Sequence, residues 1–207
     1  MRFSLVGFAA EPRAATPTIA ATLRIDVAPD EPVAALALRC QVQIEAARRT
    51  YSEAEAAALY PLFGTRAEFG RTLRSLLWTH VDVVLPGFTG HSQVRLLLPC
   101  SFDLTVAATR LFAALATGDV PLRFLFSGTF FKIIDGAVQT TPVPWTAESA
   151  ANMPAALFHE ILDQHHPGAA FVPLHREIIK KLDEHRLARG LLTWDRTLED
   201  LLRTRDR

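Results

Sequence analysis

The side chains best suited to acid–base or metal chemistry crowd into one octapeptide, His159-Glu160-Ile161-Leu162-Asp163-Gln164-His165-His166. It lacks the H-E-x-x-H spacing that sets two imidazoles one helical turn apart beside a general base. His159, Asp163 and His166 share a helical face at i, i+4 and i+7, a tolerable ligand set for a metal. That face lies opposite the apolar stripe of Leu157, Phe158, Ile161 and Leu162, and Pro167 biases His166 away from helical geometry. The expectation is a solvated polar face running into a helix end, with no metal and no cofactor.

His80 sits between Thr79 and Val81 in an alternating stretch, where an imidazole beside a carboxylate would serve as acid or base. A strand histidine next to the aromatic Trp78 is more often structural. Phe126-Ser127-Gly128-Thr129-Phe130 invites comparison with a nucleophile elbow, but that device needs G-x-S-x-G on a strand-to-helix turn. Ser127 falls inside a strand, where Gly128 marks a bulge or a close packing contact. No phosphate loop and no dinucleotide fingerprint occurs in the chain. No catalytic residue is assigned.

Binding chemistry is more promising in Arg48-Arg49-Thr50-Tyr51, which follows a strand and precedes an acidic helix start. Two guanidinium forks beside an amphipathic tyrosine suit a partner's carboxylate, or else bridge to Glu53 and Glu55. Phe88, in the loop Pro86-Gly87-Phe88-Thr89-Gly90, and Trp145, in Pro144-Trp145-Thr146, are apolar residues at strand exits. Each is an anchor for a protein partner or is buried under helices. Arg48, Arg49, Tyr51, Phe88 and Trp145 are therefore the candidate partner-binding residues.

The elements that must position them are mostly strands. Leu36-Ala37-Leu38-Arg39-Cys40-Gln41-Val42-Gln43-Ile44 alternates cleanly, apolar at even positions and polar at odd positions from Arg39, the mark of a half-buried antiparallel strand. Similar alternation runs over Thr18–Val27, Leu77–Leu85 and Val94–Phe102. A fifth strand from Leu122 to Ile134 turns at Asp135-Gly136 into a sixth, Ala137 to Val143. Ser52-Glu53-Ala54-Glu55 reads as a capping box, and Leu104 to Leu115 takes helical spacing. Helices are expected over Pro154–His165, from Pro173, and after Thr193. The fold class is α+β: an antiparallel, sandwich-like body of about six strands over 14–144, with helical insertions and a helical C-terminal layer over 145–207, in one domain of 1–207.

Length and composition agree. The 207 residues are 49% hydrophobic, enough for a sizeable core, and 22 basic residues balance 22 acidic ones, so no global charge favours nucleic acid or an anionic membrane. No stretch is apolar enough for a transmembrane segment, and Met1 to Pro12 makes a poor signal peptide, so a cytoplasmic location is expected. Cys40 and Cys100 fall on apolar strand faces and read as buried, reduced thiols.

Several runs together carry a family resemblance: Leu38 to Glu45 with Arg48-Arg49-Thr50-Tyr51; Leu76-Leu77-Trp78-Thr79-His80 with Val84 to Gly90; Val120-Pro121-Leu122 with Leu125 to Thr129; Val143-Pro144-Trp145; and His166-Pro167-Gly168. From Pro17 to Leu202 the chain resembles an uncharacterised bacterial family, common in actinobacteria, known only as a domain of unknown function. The resemblance implies a context: members tend to accompany the genes of a high-affinity uptake [NiFe] hydrogenase. It implies no chemical role for any residue. The expected function is a non-catalytic accessory, assembly or structural binding protein with [NiFe] hydrogenase subunits as its protein partner. The alternative is an enzyme or small-molecule binder with a pocket between sheet and helices, using His80.

Overall fold

The computed structural model describes residues 1–169 and 171–205. The fold is α+β, and among the described residues eight strands form two antiparallel sheets. The first sheet has the order β1-β2-β5, with β1 Arg2–Ala10, β2 Thr18–Asp26 and β5 His91–Pro99. The second has the order β4-β3-β6-β7, with β3 Val33–Ile44, β4 Leu76–Phe88, β6 Asp119–Ile134 and β7 Ala137–Pro142; β8, Glu148–Pro154, pairs with the first half of β6. The helices are α1 Glu53–Ala58, α2 Tyr60–Phe63, α3 Phe69–Thr72, α4 Ala107–Ala114, α5 Ala155–His165, α6 Arg176–Ala188 and α7 Trp194–Arg205.

The alternation of β3 explains the packing. Leu36, Leu38, Cys40, Val42 and Ile44 are all buried, and the inward rows of β2 and β6 meet them in one apolar cluster. Phe3 of β1 stacks on Phe126 of β6 with ring centroids 4.7 Å apart, and Phe8 meets Phe124 at 6.2 Å, so the two sheets face each other across these rings. Burying one such side chain contributes about 1.5–3 kcal/mol, which makes this row the main source of cohesion. At one end, Phe112 of α4 and Phe158 of α5 stack at 4.7 Å, while Trp78 meets Phe112 edge-on and donates from Nε1 to the Pro99 carbonyl. Trp78 can reach them because a bulge in the β3–β4 register falls there, between the Val42–Thr79 and Gln43–Leu77 pairs.

Two strands lie outside the span read from alternation. β1 is apolar on both faces over part of its length, with Val6 exposed beside a register shift between Leu5 and Gly7, and this hides its period of two. β8 corrects the start of the helical layer read over 145–207, while α5, α6 and α7 are helical as expected: Glu-Ser-Ala-Ala-Asn-Met-Pro pairs through backbone bonds with β6, and only Met153 is a large buried side chain. Small and polar residues leave no hydrophobic signature there, and β6 supplies the template.

The chain divides into two compact units, Met1–Phe171 and Val172–Arg207. Among its described residues the second contains α6 and α7. Within it Asp200 accepts from His185 Nε2 at 3.0 Å and from Arg189 at 2.9 Å, and the Arg186 guanidinium lies 5.3 Å from the Trp194 ring centre. The neighbouring guanidinium and imidazole hold the Asp200 carboxyl below its usual range. None of the helices among the described residues is long and apolar enough to cross a membrane.

Cys40 and Cys100 are buried, unpaired thiols, each pushed up to about 12 by burial, and so stay protonated and unreactive at neutral pH. Gly128 has the tightest backbone approach: its φ is +146°, and an added Cβ would lie 2.1 Å from the Ala37 carbonyl oxygen on β3. Only glycine allows β6 to stay in register there. Gly128→Ala is therefore expected to cost about 3 kcal/mol or more, from overpacking and backbone strain combined, read as a large drop in melting temperature.

Candidate partner-binding surface

Arg48, Arg49 and Tyr51 come together, as their spacing implies, at one end of the second sheet. They line a cleft of about 870 Å³ with Glu45, Glu55, Asp119 and Asn152. Most of its polar groups are already engaged. Arg49, whose side chain is 10% exposed, donates to the carbonyls of Thr117 and Asp119 at 2.6 Å each and to Glu55 Oε1 at 2.7 Å. Its Nε is the only buried side-chain polar atom without a hydrogen-bond partner among the described residues. Gly118, with φ +77°, leaves room for the guanidinium: an added Cβ would sit 3.4 Å from Arg49 Nη1. Arg49 therefore ties the turn before β6 to α1.

The capping box read at Ser52 is present, with the Glu55 carboxylate accepting from the Ser52 amide at 2.9 Å and the Ser52 hydroxyl accepting from the Glu55 amide. Burial pushes the Glu55 carboxyl up, but the Ser52 amide and the Arg49 guanidinium outweigh it, leaving its pKa below the usual range. Glu53 pairs instead with Arg66 at 2.6 Å. Tyr51 is buried, donates to the Ala46 carbonyl at 2.8 Å, and has its hydroxyl pushed up to about 12 by burial. Glu45 accepts from Ser75 and from Arg123. Arg48 is exposed and pairs with no carboxylate among the described residues.

Phe88 and Trp145 lie away from this cleft and differ from each other. Phe88 is half-buried and packs against the core. Trp145 occupies the turn closed by the Ala147 amide on the Pro144 carbonyl and is 94% exposed. His80 is exposed on the outer face of β4 opposite Gln41, in a shallow depression of about 280 Å³ that Arg39 and Ser127 also line. Its carboxylate neighbour on β4, Asp82, faces Arg39 at 3.6 Å. Ser127 is an exposed strand residue opposite Arg39, with no base beside it in the register. Of the histidine-rich octapeptide, His159 bonds the Leu115 carbonyl at 2.8 Å, His165 contacts the carbonyls of Ile161 and Ala14, and His166 packs on Phe102. No metal-ligating cluster forms among the described residues.

The same outer face carries a feature that the sequence did not single out. Register places Pro86, Ala35, Phe131 and Thr140 in one row across four strands, and Val84, Ala37, Thr129 and Pro142 in the next, with Ile133 opposite Val138 beyond them. None of these is charged. Val84 is 73%, Val138 68% and Ile133 61% exposed. Beside them follow the Asp82–Arg39–Ser127 and His80–Gln41–Leu125 rows, so an apolar field is bordered by a polar rim. A shallow hollow of about 340 Å³ opens in this field beside Gly128. The large apolar side chains of the field are Val84, Ile133 and Val138, exposed, and Phe131, half-buried. Its signal in the sequence was faint: Ile133 and Val138 are two apolar residues equidistant from the Asp135-Gly136 turn, and so share a face.

The two arginines are expected to separate cleanly. Arg49→Ala removes the donor to two carbonyls and the charge partner of Glu55 and should cost about 3 kcal/mol, whereas Arg48→Ala should stay within about 0.5 kcal/mol of the wild type in urea melts. The contribution of Glu55 is present above its unfolded pKa, near 4.5, and is lost as pH falls through the lower folded value. The stability advantage of the wild type over Glu55→Gln should therefore shrink steadily below pH 4.5.

No curated protein matches the chain. A family model described as a family of unknown function, DUF6084, matches residues 1–207. The match covers both the uncharged outer face and the cleft, and the chain belongs to the DUF6084 family.

Proposed function

We propose that this protein is a non-catalytic accessory or assembly factor that docks onto a partner protein through the outer face of the second sheet. The observation that carries this reading is the uncharged field of Val84, Phe131, Ile133 and Val138 with its polar rim, and Trp145, 94% exposed, farther along the chain from the same sheet. Water-exposed apolar side chains in one field gain free energy when a partner covers them, and a tryptophan is the side chain most often found dominating such contacts. The groups suited to catalysis point the other way: His80 has Gln41 opposite it, and Ser127 has Arg39.

We further infer that the partner belongs to a [NiFe] hydrogenase assembled in the cytoplasm. The resemblance described above supports this, through the genes its members tend to accompany. A second reading, binding of a small anionic molecule, rests on the cleft, where Arg48 is the exposed cation among side chains already engaged with one another.

Affinity capture from the native host tests both. Wild-type protein should retain hydrogenase subunits, identified by mass, and Trp145→Ala with Val84→Lys should lower retention about tenfold or more, the loss of roughly 1.4 kcal/mol or more of binding. Arg48→Ala should retain them as the wild type does. Hydrogenase subunits absent from the wild-type capture would defeat the partner assignment. Equal retention by the double variant would defeat the surface, and loss only in Arg48→Ala would move the site to the cleft.

A further inference from the structure

The geometry points to a second copy of this chain as the occupant of the free edge of β7, giving an antiparallel β7–β7 pair across a two-fold axis. The other sheet edges are met by a neighbour. β1 lies against β8, where the Leu5 amide donates to Ser149 Oγ at 3.3 Å, and β4 runs through a tight turn into β5. β7 pairs with β6 on one side and with no other strand among the described residues on the other, and all six of its residues are exposed.

The hairpin determines which backbone groups are free. Asp135 and Gly136 have φ of 51° and 77°, the two-residue turn in which the flanking Ile134 and Ala137 exchange hydrogen bonds. Antiparallel pairing then alternates, so Ala137, Gln139 and Thr141 bond to β6, and the amides and carbonyls of Val138 and Thr140 point away from it. Two such edges fit each other with Val138 of each copy opposite Thr140 of the other and Gln139 on the axis facing its own counterpart, joined by about four backbone hydrogen bonds.

Charge selects the occupant. Edge strands that avoid self-association carry charged side chains, because like charges oppose each other when the same strand pairs with itself. Ala-Val-Gln-Thr-Thr-Pro has none. The nearest cation, Lys132 opposite Gln139, is held by Glu31 at 2.7 Å. Pro142 lies at the strand's end and removes no amide from the central pairs. The hairpin offers a few hundred Å² per copy, below the roughly 800 Å² per partner of a standard interface, so the dimer is a reversible one.

Sedimentation velocity over a hundredfold range of concentration tests this, using the wild type, Gln139→Lys, Gln139→Glu, their equimolar mixture, and Thr140→Pro, with circular dichroism confirming the fold of each. The wild type should shift from monomer to dimer as concentration rises. Each charge variant alone should shift at about tenfold higher concentration, because residue 139 meets its own copy, and the mixture should recover or exceed wild-type dimerisation. Thr140→Pro, which removes an outward amide, should remain monomeric. A wild type that is monomeric throughout, a dimer indifferent to either charge, or charge variants that fail to combine would each overturn the proposal. The outcome is independent of the hydrogenase reading, whose capture experiment alters Trp145 and Val84 and leaves β7 intact.

Discussion

The structure of the first unit depends on one strand, β6, and on where its phenylalanines go. It pairs with β3 along one side and with β8 and then β7 along the other, so three strands take their register from it. Its inward residues, Leu122, Phe124, Phe126 and Phe130, are at most 3% exposed, and two of them meet phenylalanines of β1 across the core. Moving this strand by one residue would carry all four side chains to solvent. The close approach of Gly128 to the Ala37 carbonyl restrains such a slip, since no other residue fits that contact.

Around this apolar frame the charged residues act mostly on the protein itself. Arg49 closes the turn before β6 onto α1, Arg123 joins Glu45 and Glu148 across β3, β6 and β8, and Lys132 reaches Glu31. Arg49 and Glu55 are nearly fully buried and held by complementary bonds, the condition under which an ion pair matters to stability. The others are more exposed and worth little individually. With these acids and bases committed in this way, the rows of the outer face nearest the β6–β7 hairpin are left with apolar contact and unpaired backbone. The docking role proposed above draws on apolar contact, whereas turnover would require groups with free valence and adjusted proton affinity.

Recognition of this kind also fits the division of the outer face. Its polar rows, His80–Gln41 and Asp82–Arg39, lie near the middle of the sheet, while the apolar rows run out towards the β6–β7 hairpin. A partner seated on the apolar rows would meet the Arg39–Asp82 pair at its border, where charges help set orientation more than affinity. The edge of β7 borders that field: Val138 and Thr140 give side chains to the field and outward backbone groups to the edge, so the two contacts adjoin.

The amino-acid sequence by itself determined the elements whose signal is local. Period-two alternation marked β2, β3 and the inner part of β4, the Ser52–Glu55 box marked the start of α1, and Asp135-Gly136 marked the hairpin, because each depends on side chains a few residues apart. It also placed Arg48, Arg49 and Tyr51 side by side and offered the bridge to Glu55 as one of two readings. Only the tertiary structure decided the rest. β8 is a strand because β6 offers it bonds, a fact invisible in Glu-Ser-Ala-Ala-Asn-Met-Pro. Arg49 is bound by carbonyls 68 and 70 residues away, and so is a brace, while Arg48 beside it stays exposed. Val84, Phe131, Ile133 and Val138 become one surface only when four strands are in register, since exposure is a property of what lies opposite in space and not of the residue type.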